Sequence, residues 1–240
     1  METKKNFISK NVVLLGMLFV CFLILSNLTA FKVGAMSFPF IDNKIEFPSA
    51  LIFFPITYLF SNVLTEVYGY KIARLIIWCG FFCSAIVLLG LLIVVKIPAS
   101  EIWLVNTNNA QNAYEILFTA YARMFVASSC AYFFGEFLNS MVLAKLKVLS
   151  SGKYLYARIV GSTLAAVSVD SVVFVFIAFY GVMSDASIVN IVVTQITFKV
   201  VYEIVMLPFT YKIVAYLKRA DGIDYYDVKT KFNPFSLSTE

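Results

Sequence analysis

Ile72-Ala-Arg-Leu-Ile-Ile-Trp-Cys-Gly-Phe-Phe-Cys-Ser-Ala-Ile-Val-Leu-Leu-Gly-Leu-Leu-Ile-Val-Val95 carries one charged residue, Arg74, near its start. As a helix it is long enough to cross a bilayer core of roughly 30 Å, which takes about 20 residues. Five further stretches of the same kind flank it, at residues 11–31, 48–66, 115–144, 154–181 and 188–217. With 61% hydrophobic residues and a mean hydropathy of +0.86, a soluble domain of 240 residues could not hide so much apolar surface. The expected fold class is all-α: a polytopic membrane protein of six transmembrane helices. Residues 1–217 form its single transmembrane domain and residues 218–240 a flexible cytoplasmic tail.

Lysine and arginine set the orientation. Lys4, Lys5, Lys10, Lys71, Arg74, Lys145, Lys147, Lys153, Arg158, Lys212, Lys218, Arg219, Lys229 and Lys231 fall on one side of the six spans. Lys32, Lys44 and Lys96 fall on the other. Both termini are therefore expected in the cytoplasm. The net charge of +5 reflects this sidedness and does not suggest nucleic-acid binding. The N-terminal lysines before residues 12–25 also fit a signal peptide, but no small-x-small cleavage site follows and the apolar run continues. They are read as leading into the first span.

Histidine is absent, which removes Ser/His proteolysis, zincin chemistry and histidine-ligated haem. Cys21, Cys79, Cys83 and Cys130 lie in apolar spans and read as small packing residues rather than metal ligands. No GxxxxGK[ST] loop occurs, so an ATPase activity is not expected. No cofactor and no metal are expected.

Ionisable groups inside spans are costly and usually face the bundle interior. Asp170 sits near the middle of span five and Lys199 near the middle of span six. Asp170 is too short to reach either surface, so it must be paired, protonated or wetted. Lys199 and Glu203 are spaced i, i+4 and fit an intrahelical salt bridge. The alternative turns Lys199 into a central cavity opposite Asp170. Glu66 lies close enough to the cytoplasmic end to snorkel, and Arg123 close enough to the outer end. Counting Arg123 and Lys199 against Glu66, Glu136, Asp170 and Glu203 leaves two carboxylates in surplus, which suits a proton site or a cation-tolerant substrate site. Trp78 and Trp103 fit interfacial belts, whereas Phe53, Phe54, Tyr58 and Phe174 are candidates for stacking on a flat ligand.

Three spans plus three spans give halves of opposite orientation. Asn27 and Lys32 at the end of span one echo Asn139 and Lys145 at the end of span four. Asn62 in span two and Asp170 in span five lie at comparable depth. This is the pattern of an inverted-repeat transporter with a midplane site. Pro55 is expected to kink span two and free a carbonyl.

The stretch Phe54-Pro-Ile-Thr-Tyr-Leu-Phe-Ser-Asn-Val-Leu-Thr-Glu-Val-Tyr-Gly-Tyr-Lys-Ile-Ala-Arg74 resembles the signature of the queuosine-precursor transporter family, also called the vitamin-uptake-transporter-like family. Asn27-x-x-Ala-x-Lys32, Gly135-Glu-Phe-Leu-Asn-Ser-Met-Val-Leu-Ala-Lys-Leu-Lys147, Arg158-x-x-Gly-Ser-Thr163, Asp170-Ser-Val-Val-Phe174 and Ile177-Ala-Phe-Tyr-Gly181 extend the resemblance over roughly residues 27–209. It implies import of 7-deazaguanine bases: 7-cyano-7-deazaguanine, 7-aminomethyl-7-deazaguanine or queuine. It also implies substrate contacts at Asn27, Ser61, Asn62, Glu66, Arg74, Glu136, Asn139, Arg158, Asp170 and Lys199. Tyr58 and Phe174 join them as stacking candidates. Lys32, Pro55, Arg74, Arg123, Arg158 and Glu203 are assigned structural or gating roles. The family is expected to carry aspartate where Asn62 stands, so any proton role there is weakened.

A carboxylate suits such a substrate because a guanine-like edge offers two adjacent donors that it accepts as a fork. The expected partners are this small molecule and the lipid bilayer, with no nucleic acid; monomer or homodimer is left open. The rival readings are a substrate-binding membrane subunit for a vitamin or nucleobase that needs a separate energising complex, a membrane enzyme, and an assembly protein. An enzyme would need a nucleophile–base pair, which the spans lack, and a scaffold would not need embedded charge.

Overall fold

In the computed structural model of the protein, described for residues 9–30, 32–36, 45–107, 110–181 and 184–235, six helices are long and apolar enough to cross a membrane. Lys4, Lys5 and Lys44 of the charge census, and the end of the first expected span at residue 31, lie outside the described residues. Helix α1 is Lys10–Thr29. The hairpin strands β1 (Val33–Met36) and β2 (Ile45–Pro48) follow, then a 3-10 turn at Ser49–Ile52. Helices α2 (Phe54–Tyr68), α3 (Tyr70–Val95), the short α4 (Glu101–Asn106), α5 (Gln111–Leu149), α6 (Leu155–Phe179) and α7 (Asp185–Asp221) complete the chain.

The hairpin corrects the all-α expectation in one place. Its strands pair antiparallel with Val33 opposite Pro48 and Met36 opposite Ile45, and Ser49 N–H donates to the Lys32 carbonyl at 2.7 Å. The hairpin closes the end of α1 against the start of span two. Pro55 is also corrected. It lies in the first turn of α2, where its missing N–H costs nothing and its fixed φ suits the helix, so it starts the helix instead of kinking it. The interior proline is Pro208, in α7.

Helices α5 and α7 have 39 and 37 residues. At 1.5 Å per residue each is roughly 55–60 Å long, well beyond a bilayer core, so their ends extend past it. Helix α2 is the most enclosed, packed by α1, α3, α5 and α7. Apolar side chains fill the bundle on either side of a polar band. Phe19, Leu23, Val63, Leu64 and Ile77 pack among α1, α2 and α3, while Ala127, Ala131, Val175 and Ala178 join α5 to α6.

The end of α7 locks onto the start of α1. Asp221 accepts from Ser9 Oγ and Asn11 Nδ2, each at 2.7 Å, and from Tyr68 Oη at 2.5 Å. Residues 222–235 are not a loose tail. Tyr225 N–H donates to the Val67 carbonyl at 3.1 Å, and Asp227 Oδ2 accepts from Tyr70 N–H at 3.0 Å, capping α3. Arg74 donates to the Asn233 carbonyl at 2.9 Å and Trp78 to the Pro234 carbonyl at 2.7 Å. Trp78 is thereby held by the tail as well as by the rings of Phe81, Phe133 and Phe137. An Asp- and Lys-rich segment reads as solvated, but here its bonds go to helix ends and turns, which supply the donors and acceptors it needs.

Candidate functional site

Asp170 and Lys199 meet at the centre of the bundle. Lys199 Nζ on α7 lies 3.0 Å from each carboxylate oxygen of Asp170 on α6, and 3.2 Å from Ser171 Oγ. Tyr58 Oη on α2 donates to Asp170 Oδ2 at 3.1 Å and Ser171 Oγ to Oδ1 at 3.0 Å. A carboxylate offers about four lone-pair sites, so all four are taken. The ammonium also sits 4.7 Å from the centre of the Phe54 ring. Gly135 on α5 makes this approach possible: a methyl there would lie 2.7 Å from Tyr58 Oη and 2.8 Å from Asp170 Cβ.

The pair borders a cavity of about 40 Å³ walled by Phe54, Phe174, Leu51 and Ala131, with Ser26, Ser128, Gln195, Asp170 and Lys199 as polar lining. That is room for about three waters. The cavity lies toward the hairpin, whose Pro48 and the following Ala50 contribute to its wall. Gln195 is 4% exposed and its Nε2 has no hydrogen-bond partner. A bicyclic base would need Phe54 or Phe174 to swing aside.

A second polar cluster lies among α2, α5 and α7. Asn139 Nδ2 donates to Asn62 Oδ1 at 2.8 Å, and Asn62 Nδ2 donates to Glu203 Oε1 at 3.0 Å. Ser61 and Ser140 hydroxyls are 3.2 Å apart. Thr57 Oγ1 lies 3.3 Å from Glu136 Oε1 but only 2.6 Å from the Phe54 carbonyl. Glu136 Oε2 and Asn139 Oδ1 are buried without partners. The i, i+4 bridge between Lys199 and Glu203 does not form: each reaches across to another helix, Lys199 to Asp170 and Glu203 to Asn62.

Glu66 occupies the opposite end of α2 and does not snorkel. It is 1% exposed, and Arg158 grips both its oxygens, through Nη1 to Oε2 and through Nη2 to Oε1 at 3.2 Å. Lys218 adds a bond to Oε1 at 2.8 Å, and Lys147 reaches the Glu66 carbonyl at 2.5 Å. Both lysines also hold Asp224 of the tail, at 2.5 and 2.9 Å. Partial burial pushes the Asp224 carboxyl up, but the hydrogen bonds from Lys147 and Lys218 outweigh it and leave the group below its ordinary range. The tail rings seat beside glycines: Tyr225 against Gly69 and Tyr226 against Gly152, with the Lys147 ammonium 4.6 Å from the centre of the Tyr226 ring.

The sequence candidates therefore divide. Asp170, Phe174 and Lys199 line the cavity, and Tyr58 holds Asp170 without lining it. Ser61, Asn62, Glu136, Asn139 and Glu203 form the second cluster. Glu66 and Arg158 belong to the tail-side network, and Arg74 to the tail itself. Asn27 is buried near the hairpin end of α1, one residue after the cavity residue Ser26. Lys32 is exposed, and Arg123 donates to the carbonyls of Ile177 and Tyr180 at 3.1 and 2.8 Å, tying α5 to the end of α6. Gln195, Ser128, Lys147, Lys218 and Gly135 were missed as site residues. Gln195 is a polar residue inside span six, but nothing in the sequence marks its place beside Phe174 in the cavity wall. Among the described residues no three acidic or thiol side chains converge where a metal ion could sit.

The model of a family described as "Putative vitamin uptake transporter" matches residues 48–213, more than half of the chain. The chain belongs to this family. By its description the family is one of membrane transport proteins, and six helices of this chain are long and apolar enough to cross a membrane. The matched region contains every residue of the cavity lining except Ser26. The chain is also similar to a protein of Bacillus subtilis (strain 168) named "Probable queuosine precursor transporter", at 27% identity over 155 residues. That match covers 63% of this chain and 64% of the relative, a little under two thirds of its length. No solved structure matches the chain.

Proposed function

We propose that the protein imports queuosine precursors, 7-deazaguanine bases, across a bacterial inner membrane through the cavity beside Asp170 and Lys199. The observation that carries this reading is the cavity itself: two aromatic walls, Phe54 and Phe174, around an ion pair and an unpartnered Gln195 amide. A flat heteroaromatic base can stack on either ring once Phe54 or Phe174 swings aside. Its carbonyl accepts from Gln195 or Lys199, and its paired N–H donors compete with Lys199 for the Asp170 carboxylate. The likeness to the Bacillus subtilis relative supports this class of base.

A buried but neutral pair lets an uncharged base bind without adding charge to the membrane interior. Asn27, Ser61, Asn62, Glu136 and Asn139 stand one shell further out, and Glu66 with Arg158 closes the opposite end. In this reading α1–α3 and α5–α7 are inverted halves that rock about the site, and both termini lie in the cytoplasm.

The test is queuosine in tRNA, in cells lacking precursor synthesis and their own transporter but able to use each base. Cells expressing the protein are given 7-cyano-7-deazaguanine, 7-aminomethyl-7-deazaguanine or queuine. Restoration by one base, lost in Asp170→Ala and reduced in Gln195→Leu at equal membrane expression, is the expected result. No restoration by any base refutes the reading.

A further inference from the structure

We propose that Glu136 carries the coupling proton of the transport cycle, which it shares with Asn139; this rests on the transport reading for its role but not for its chemistry. The charge count points to it. Of the four carboxylates buried within the spans, Asp170 is neutralised by Lys199, and Glu66 by Arg158 and Lys218. Among the described residues no cation lies within ion-pair distance of Glu136 or Glu203. An ionised carboxylate buried without a counter-ion is costly by many kcal/mol, so the group takes a proton or a cation instead.

The hydrogen bonds point to the proton. Glu136 is 0% exposed, its Oε2 has no donor, and Asn139 Oδ1, one turn along the same face of α5, has none either. Both atoms are acceptors, so nothing can join them until a hydrogen is added. The hydroxyls near Glu136 are those of Thr57 and Ser61. Thr57 has a closer acceptor in the Phe54 carbonyl, 2.6 against 3.3 Å, and Ser61 is shared with Ser140 at 3.2 Å. A proton on Oε2 supplies what is missing. Donated to Asn139 Oδ1, it would extend to Glu136 the chain that runs from Asn139 through Asn62 to Glu203, across α5, α2 and α7. Neither Glu136 nor Asn139 borders the cavity, so the base itself does not supply that donor in this state.

The other titratable groups near Glu136 are few. Helix α2 presents Tyr58, α5 itself Tyr132, α6 Asp170, and α7 Glu203 and Lys199. Helix α3 contributes only the thiols Cys79 and Cys83, beyond Tyr132, and α1 has no ionisable side chain between Lys10 and its end except Cys21. Lys199 is committed to Asp170, so none of them is a counter-ion for Glu136. Because the substrate pair is neutral, each cycle with an uncharged base moves one positive charge inward.

Infrared spectra of the full chain in lipid, titrated from about pH 5 to about pH 9, test the site without any substrate. The expected result is a protonated-carboxyl carbonyl band with a titrating component that is missing in Glu136→Gln and persists in Asp170→Asn and in Glu203→Gln. No protonated-carboxyl band, or one left unchanged by Glu136→Gln, overturns the proposal. A band abolished by sodium at constant pH overturns it in favour of a sodium site. The coupling is then read in liposomes with labelled 7-cyano-7-deazaguanine. An inward proton gradient raises uptake several-fold in the wild type and not in Glu136→Gln. Uptake indifferent to that gradient overturns the coupling. Absence of any uptake refutes the transport reading, while the infrared result still decides the proton site.

Discussion

Lys199 on α7 and Asp170 on α6 lie 3.0 Å apart through both carboxylate oxygens, almost wholly removed from solvent. Removing one partner strands the other, which typically costs about 3–5 kcal/mol, whereas removing both is far better tolerated. Lys199→Met is expected to lower the thermal midpoint in detergent sharply. Asp170→Asn combined with Lys199→Met should recover most of it. A double variant as unstable as the single one would contradict the pairing.

Gly135 is the position where α5 lies against both members of the Tyr58–Asp170 bond. A methyl at 2.7 Å from Tyr58 Oη and 2.8 Å from Asp170 Cβ has to push the two helices apart. Gly135→Ala is expected to destabilise by about 1–3 kcal/mol, as overpacking does. Gly90→Ala, where nothing lies within reach, is the control and should leave the midpoint unchanged. Thermal scans of the two variants check this.

Much of this arrangement was legible in the sequence, and the failures have physical causes. Six apolar runs announced themselves by length, and Asp170 by a depth from which a short side chain cannot escape. The Lys199–Glu203 spacing misled because an i, i+4 pair is worth only about 0.2–0.5 kcal/mol, less than what interhelical partners offer. Pro55 misled because the apolar run begins at residue 48, while the α-helix begins at Phe54 after a 3-10 turn. The tail was illegible because composition does not say that Asp227 would meet the free amide of Tyr70 or that Asp224 would bridge two lysines.

Asn62 gives a sharper test of its own neighbourhood. Its Nδ2 is the hydrogen-bond donor for Glu203 among the described side chains. Asn62→Asp replaces that donor with a second carboxylate oxygen. Leaving a buried group unsatisfied costs about 1–3 kcal/mol, and two adjacent carboxylates cannot both ionise. The variant is expected to be less stable than the wild type at pH 8 and to approach it at pH 5, by thermal scans in the same detergent. Equal loss at both values would show that the cost is one of shape alone.

The strap at residues 222–235 should be insensitive to ordinary acidification. The Asp224 carboxyl is held below its unfolded value of about 3.9. Its contribution is therefore complete above that value and is lost only as pH falls through the lower folded value. Hydrogen exchange at Tyr225 N–H, which donates to Val67, is expected to stay protected relative to intrinsic exchange from pH 8 to pH 5. Gly152→Ala should remove that protection. Gly152 has φ +77, a conformation side chains avoid, and a methyl there would collide with Tyr226 Oη. Protection that survives in Gly152→Ala would show that Tyr226 does not anchor the strap.

That strap also sets an order of assembly. Gly69, the Tyr70 amide, Arg74 and Trp78 are made well before their partners Tyr225, Asp227, Asn233 and Pro234. These contacts therefore form only once residues 225–234 have been made, long after α3. A chain arrested before residue 222 lacks all of them, and the end of the bundle where α2 meets α3 stays unstrapped.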